Sequence, residues 1–227
     1  MNQNKSILLP GSFFSRNLKE KIEILSNKSI NTIYFYDHKV HPVDESLSVY
    51  KIPQDIIYLN KALNEKFKLG LCVVNLNLRS VEDLFKNVLD PISLIPNFSL
   101  GVGFGDSRYS NQNSFMNDSE FIIQNIINNY EFKNIFIGGN SSKIIETANN
   151  FELGMNQWLG TNQQFQNKVL NYQNYSSPRG VLSKCINYNS ETEINSSYET
   201  IFIIKDVNLK IFNETIDSIF LDAKICK

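Results

Sequence analysis

Short runs of β-branched and aromatic residues alternate along this chain with segments whose apolar positions recur every three to four residues. Ser6 to Leu9 is a first apolar run, closed by the turn pair Pro10-Gly11. Leu18, Ile22 and Leu25 then share one helical face. Thr32 to Tyr36 reads as a second strand, ending at Asp37-His38, and residues 53–66 as a helix. Lys68 to Val74 is the third strand, residues 80–94 carry helical spacing, and Phe98 to Val102 is the fourth strand. The second half repeats the pattern. Helices are predicted over Phe121 to Ile127, 141–150, 163–172 and 207–216. Strands are predicted over Asn134 to Ile137, Met155 to Leu159, Gly180 to Tyr188 and Thr200 to Ile204, with a last apolar run at Ser218 to Leu221.

Strands alternating with helices predict a parallel sheet covered by helices. About eight such units in 227 residues is near the lower limit for a closed (β/α)8 TIM barrel. No linker divides the chain, so one domain over 1–227 is expected. The polar stretch 189–199 reads as a surface excursion.

Composition narrows the function classes. A net charge of −1 with no basic run argues against a nucleic-acid partner. No stretch approaches the roughly 18 to 20 apolar residues of a membrane span. The N-terminal Met1-Asn2-Gln3-Asn4-Lys5 lacks a secretory pattern, so the cytoplasm is expected. Cys72, Cys185 and Cys226 have no paired spacing and read as reduced core thiols.

Glycine is sparse, at 10 residues, and half of these fall at two predicted strand ends. One cluster is Gly101-Val102-Gly103-Phe104-Gly105-Asp106; the other is Gly138-Gly139-Asn140-Ser141. In parallel α/β proteins the C-terminal strand ends carry the ligand site, and glycine there admits a flat ring or a phosphate. The second cluster leads into a helix, which makes a phosphate cradle; tight-turn geometry alone is the alternative. His38 and His41 are the only histidines. His38, at a strand end, is placed to polarise a bound ring, with an ordinary loop histidine as the alternative. Trp158 reads as core or rim packing.

Four stretches, taken in order, resemble the bacterial-luciferase-like family of flavin-dependent monooxygenases and coenzyme F420-dependent oxidoreductases. They are Tyr34 to His38, Lys68 to Asn75 with Arg79, Pro96 to Gly105, and Ile135 to Ser141 with Ala148 and Gly154 beyond. The resemblance spans about residues 30–160 and implies a compact barrel with its cofactor, F420 or FMN, across the C-terminal mouth. By position it implies that Asp37 and His38 face the ring. Val74 and Asn75 would lie beside it, where relatives often have a non-proline cis peptide. Asp106 falls where some relatives place a catalytic carboxylate. Gly103 and Gly105 would border the ring, Gly138, Gly139, Asn140 and Ser141 would hold the phosphate, and Gly160 and Thr161 would assist. The implied activity is hydride transfer between F420 and a small organic substrate. The alternatives are an FMN-dependent monooxygenase or a non-catalytic flavin binder resembling the non-fluorescent flavoprotein, which is similarly short. Relatives commonly pair through barrel helices, which implies a homodimer.

Overall fold

In the computed structural model, residues 4–38, 48–104, 119–139, 142–172, 179–188, 197–205 and 208–220 are described. Eight parallel strands close into a barrel in sequence order. They are β1 (Lys5–Leu8), β2 (Thr32–Phe35), β3 (Lys68–Asn75), β4 (Ser99–Gly103), β5 (Asn134–Gly138), β6 (Gly154–Trp158), β7 (Leu182–Asn187) and β8 (Glu199–Ile203). Closure is made by β1 against β8, with Lys5 to Leu8 in register with Thr200 to Ile203. The described helices are α1 (Leu18–Ser26), α2 (Gln54–Ala62), α3 (Val81–Leu84), α4 (Asp90–Ser93), α5 (Ser119–Asn129), α6 (Ser142–Asn150), α7 (Asn162–Asn171) and α8 (Leu209–Phe220). A π-helical turn, Phe85–Leu89, joins α3 to α4.

Two separate apolar clusters follow from the period-two alternation of the strands. Ile7, Ile33, Phe35, Leu69, Leu71, Val74, Leu100, Ile135 and Ile137 belong to the outer one, shared with the helices. Leu8, Tyr34, Tyr36, Cys72, Phe136, Cys185, Ile201 and Ile203 form the inner one. Burial of strands on both faces is why these runs read as near-continuous hydrophobic stretches. The barrel interior is packed with side chains. Gly70 faces the Tyr34 ring and Gly101 the Phe136 ring, each leaving the space a Cβ would take. The two rings meet edge-on, with centroids 6.0 Å apart.

The floor of the barrel is polar. Glu199 accepts hydrogen bonds from Ser6, from Asn31 Nδ2 at 3.0 Å and from the Tyr34 hydroxyl at 3.0 Å. Burial, with Glu199 beside it, pushes the Tyr34 phenol well above its ordinary pKa. Satisfying a buried carboxylate with several donors is what makes its burial tolerable.

The predicted alternation holds through β8. The last apolar run does not form a separate element: Ser218 to Phe220 are the final turn of α8, and Leu221 lies outside the described residues. Phe212, Ile216 and Ile219 recur at helical spacing and bury that face. Lys28, just beyond the end of α1, pairs with Asp217 of α8. No helix among the described residues is long and apolar enough to cross a membrane.

Candidate functional site

The C-terminal end of β3 departs from regular alternation. The register with β4 shifts between Leu71 and Val74, and the Cys72–Val73 peptide is cis. The extra residue brings two consecutive side chains, Cys72 and Val73, into the inner cluster, while Val74 returns to the helix-facing core. A Cβ on Gly103 would overlap Cγ2 of Val73, and one on Gly138 would overlap Cγ1. Gly103, expected to border the ring, and Gly138, expected to hold the phosphate, therefore seat Val73 between the ends of β4 and β5. Val73, not Val74, is the apolar surface these strand ends enclose. The cis bond lies before Val73, two residues ahead of the Val74–Asn75 pair beside which it was expected.

Asp37 and His38 are adjacent in sequence, and their side chains serve different partners. Both Asp37 carboxylate oxygens accept from Arg79, each at 2.6 Å, and Oδ2 also accepts from the Asn75 backbone N–H at 3.1 Å. The Asp37 backbone N–H in turn donates to Val73 O at 3.1 Å. Burial works against the Arg79 charge, but the hydrogen bonds and charge of Asp37 outweigh it and raise the guanidinium pKa. Asp37 thus clamps the ends of β2 and β3. Asn75 Oδ1 accepts from the Asn77 N–H at 3.0 Å, which caps the turn leaving β3. His38 is half-buried, its ring 6.1 Å from that of Tyr36.

Around His38 stands an aromatic rim. The Tyr36 hydroxyl accepts from Gly11 N–H at 3.1 Å and donates to Ser48 O at 3.2 Å. Tyr50 packs 4.9 Å from the Tyr36 ring and donates its hydroxyl to Leu9 O. Burial pushes the Tyr36 phenol up to about 12 and the Tyr50 phenol well above its ordinary value. Tyr36 and Tyr50 were missed as site residues. Strand phase alone, Tyr34 and Tyr36 at i and i+2, could have placed Tyr36 on the inner face.

At the opposite side, Gly139 follows β5 with φ +134°, and a Cβ there would stand 2.7 Å from Ile144 Cδ1. Its carbonyl accepts from Lys168 Nζ at 3.3 Å. Burial lowers the Lys168 pKa. Lys143, on the first turn of α6, sits 5.0 Å over the Phe104 ring. Lys168 therefore borders the Gly139 corner and Lys143 lies over Phe104 beyond the end of β4; neither was read from the sequence. Gly160, at φ +87°, and Thr161 form the cap of α7. The Thr161 hydroxyl accepts from Gln164 N–H at 3.1 Å, and Gln164 Oε1 accepts from Thr161 N–H at 2.9 Å. Thr161 and Gln164 thus form a reciprocal capping box, with Gly160 just before it. Trp158 packs against the inner cluster. Gly105, Asp106, Asn140, Ser141 and His41 lie outside the described residues. A groove of about 730 Å³ lies elsewhere, between α1 and α8 on the outer surface, lined by Glu20, Glu23, Lys28 and Lys210 among others.

No protein-family model matches the sequence, and no curated protein matches it. Solved structures do share its fold. Similarity to apo-MsnO8 has a TM-score of 0.57 at 12% identity, over 82% of this chain and 65% of that one. The coenzyme F420-dependent tetrahydromethanopterin reductase from Methanopyrus kandleri gives 0.54 at 12% identity, over 82% and 66%. The chain therefore spans just under two thirds of the length of both. The xylanase and alpha-amylase inhibitor protein XAIP-II from Scadoxus multiflorus gives 0.50 at 9% identity, over 97% of this chain and 96% of that one. At these identities the likeness is one of fold, and the chain is a compact (β/α)8 barrel of the architecture that an F420-dependent reductase also uses.

Proposed function

We propose that this barrel is an oxidoreductase that holds coenzyme F420 or FMN across its C-terminal mouth and passes a hydride between that ring and a small organic substrate. The observation that carries the reading is the seating of Val73 between Gly103 and Gly138. It gives the mouth a shallow apolar floor with backbone on both sides, the surface a planar ring needs. The chemistry of the group fits its surroundings, because both cofactors carry a phosphate, Lys168 borders the Gly139 corner, and Lys143 stands over Phe104 at the end of β4. When bound, such a ring supplies the hydride chemistry itself.

The chain's own part is orientation, charge and exclusion of water. Asp37, held by Arg79 and Asn75, fixes the backbone on which His38 stands. His38 would stabilise charge developing on the ring. In this reading Asp106 exchanges the proton on the substrate side, and Gly105, Asn140 and Ser141 complete the ring border and the phosphate cradle. Tyr36 and Tyr50 close the side nearest β1 and β2 against solvent.

A second reading, a barrel that binds without catalysing, is favoured by one observation. The likeness to the inhibitor protein runs over nearly the full length of both chains, whereas the reductase is longer. Titration of purified protein with FMN and with F420, followed by absorbance and fluorescence, separates the two. A saturable shift with either ring, and turnover of bound reduced cofactor, supports the oxidoreductase. Absence of binding to both rings defeats it.

A further inference from the structure

Inside the barrel, directly below Val73, two cysteines from opposite walls meet. Cys72 of β3 and Cys185 of β7 place their Sγ atoms 3.7 Å apart. Both are free and buried, at 4% and 0% exposure. Asn156 of β6, 1% exposed, completes a triangle. Its Oδ1 lies 3.7 Å from Cys72 Sγ and 3.6 Å from Cys185 Sγ. The amide is oriented by its other end, which donates from Nδ2 to Ser183 Oγ at 2.9 Å and reaches Cys185 Sγ at 3.5 Å.

These three distances have the dimensions of one face of a coordination tetrahedron. With metal–sulfur bonds of about 2.3 Å, sulfurs 3.7 Å apart subtend an angle of about 107° at the ion. With a metal–oxygen bond of about 2.1 Å, a tetrahedral ion sets sulfur and oxygen about 3.6 Å apart. We propose that Cys72, Cys185 and Asn156 form a binding site for a thiophilic divalent cation of the zinc class, with water or an added ligand as fourth donor. Among the described residues no group of three or more His, Cys, Asp or Glu could hold a metal; this site departs from that pattern because its third donor is an amide.

Charge and covalent chemistry favour a divalent ion over the alternatives. Binding exchanges two thiol protons for one metal ion, M²⁺ + 2 RSH → M(SR)₂ + 2 H⁺, and leaves the interior neutral, which burial demands. Each thiol must lose its proton to bind, so loading should strengthen as pH rises. A disulfide would need the sulfurs at about 2.05 Å, about 1.7 Å closer than they stand. The ion needs no such movement. Ser183 then acts as an orienting partner for the ligand amide.

The test uses metal-free wild-type protein and Co²⁺ as a coloured stand-in for Zn²⁺, with native mass spectrometry for Zn²⁺ itself. The expected result is a single bound equivalent, a thiolate-to-cobalt charge-transfer band and release of two protons per ion. Cys72→Ser and Cys185→Ser should each abolish the band, Ser183→Ala should weaken binding on the order of 10- to 100-fold, Asn156→Ala should weaken it further, and Cys226→Ser should leave it intact. The wild-type spectrum and proton release decide the matter even if the serine variants fold poorly. Absence of the band and of a metal adduct at stoichiometric metal overturns the proposal. So does a band that survives both serine variants, or a Cys72–Cys185 disulfide in the protein as purified.

Discussion

Asp37 and Arg79 meet as a fork-to-fork pair, with two N···O contacts of 2.6 Å, at the junction of β2 and β3. The Asp37 side chain is 5% exposed and that of Arg79 16%. Removing one partner of such a pair strands a buried charge, which costs about 3–5 kcal/mol. Arg79→Ala should therefore destabilise the barrel by about 3 kcal/mol in urea unfolding. Asp37→Ala with Arg79→Ala should cost less than the two single changes added together. Additive losses would mean that the pair does not act as a unit.

The seating of Val73 gives a second expectation. Gly138→Ala places a methyl group against Val73 Cγ1, and overpacking of this kind costs about 1–3 kcal/mol. Val73→Ala in the same chain should recover most of that loss. A double variant no more stable than Gly138→Ala alone would show that Val73 is not what the glycine accommodates.

For Gly139, φ +134° and the nearness of Ile144 both oppose a side chain. Gly139→Val should lower affinity for FMN and F420 together, while circular dichroism still reports a folded barrel. Unchanged affinity for both would confine this glycine to the turn.

His38→Ala should slow single-turnover reduction of bound cofactor by about 10²- to 10⁴-fold and alter cofactor affinity far less. Equal rates in the two proteins would remove His38 from the chemistry.

Alkaline stability follows from the buried tyrosines. The Tyr36 phenol is held at about 12, against about 10 for an exposed tyrosine. Because the folded value is the higher one, its contribution is complete below pH 10 and is lost as pH rises toward 12. The slope is about 1.4 kcal/mol per pH unit for each tyrosine held back in this way, and Tyr34 and Tyr50 add to it. Ultraviolet titration should show these phenols ionising together with unfolding. Smooth ionisation near pH 10 with the fold intact would contradict their burial.

The order of strands and helices was legible because each strand of a doubly covered barrel is a short apolar run, and each helix buries a single stripe. Elements that share both features, such as the end of α8, were not separable by pattern. The strand ends that make up the candidate site were legible in position, and the directions of their side chains less so. Strand ends announced themselves through Asp37-His38, Gly101 to Gly105 and Gly138-Gly139. Which way each side chain points depends on strand phase, and the extra residue in β3 resets that phase within one strand. Nothing in Cys72-Val73-Val74 marks the shift. The meeting of Cys72 with Cys185 was equally hidden, because residues 113 apart become neighbours only when the barrel closes.

Closure has a consequence for how the molecule is made. Ser6 and Glu199 bond across the β1–β8 seam, 193 positions apart. A ribosome delivers β1 well before β8, so until β8 emerges the leading strand has an open edge facing solvent. Such an edge is a template for the wrong partner. The polar latch of Ser6, Asn31, Tyr34 and Glu199 forms only when the final strand arrives. Chains arrested before Glu199 should then be the ones that holdase chaperones retain.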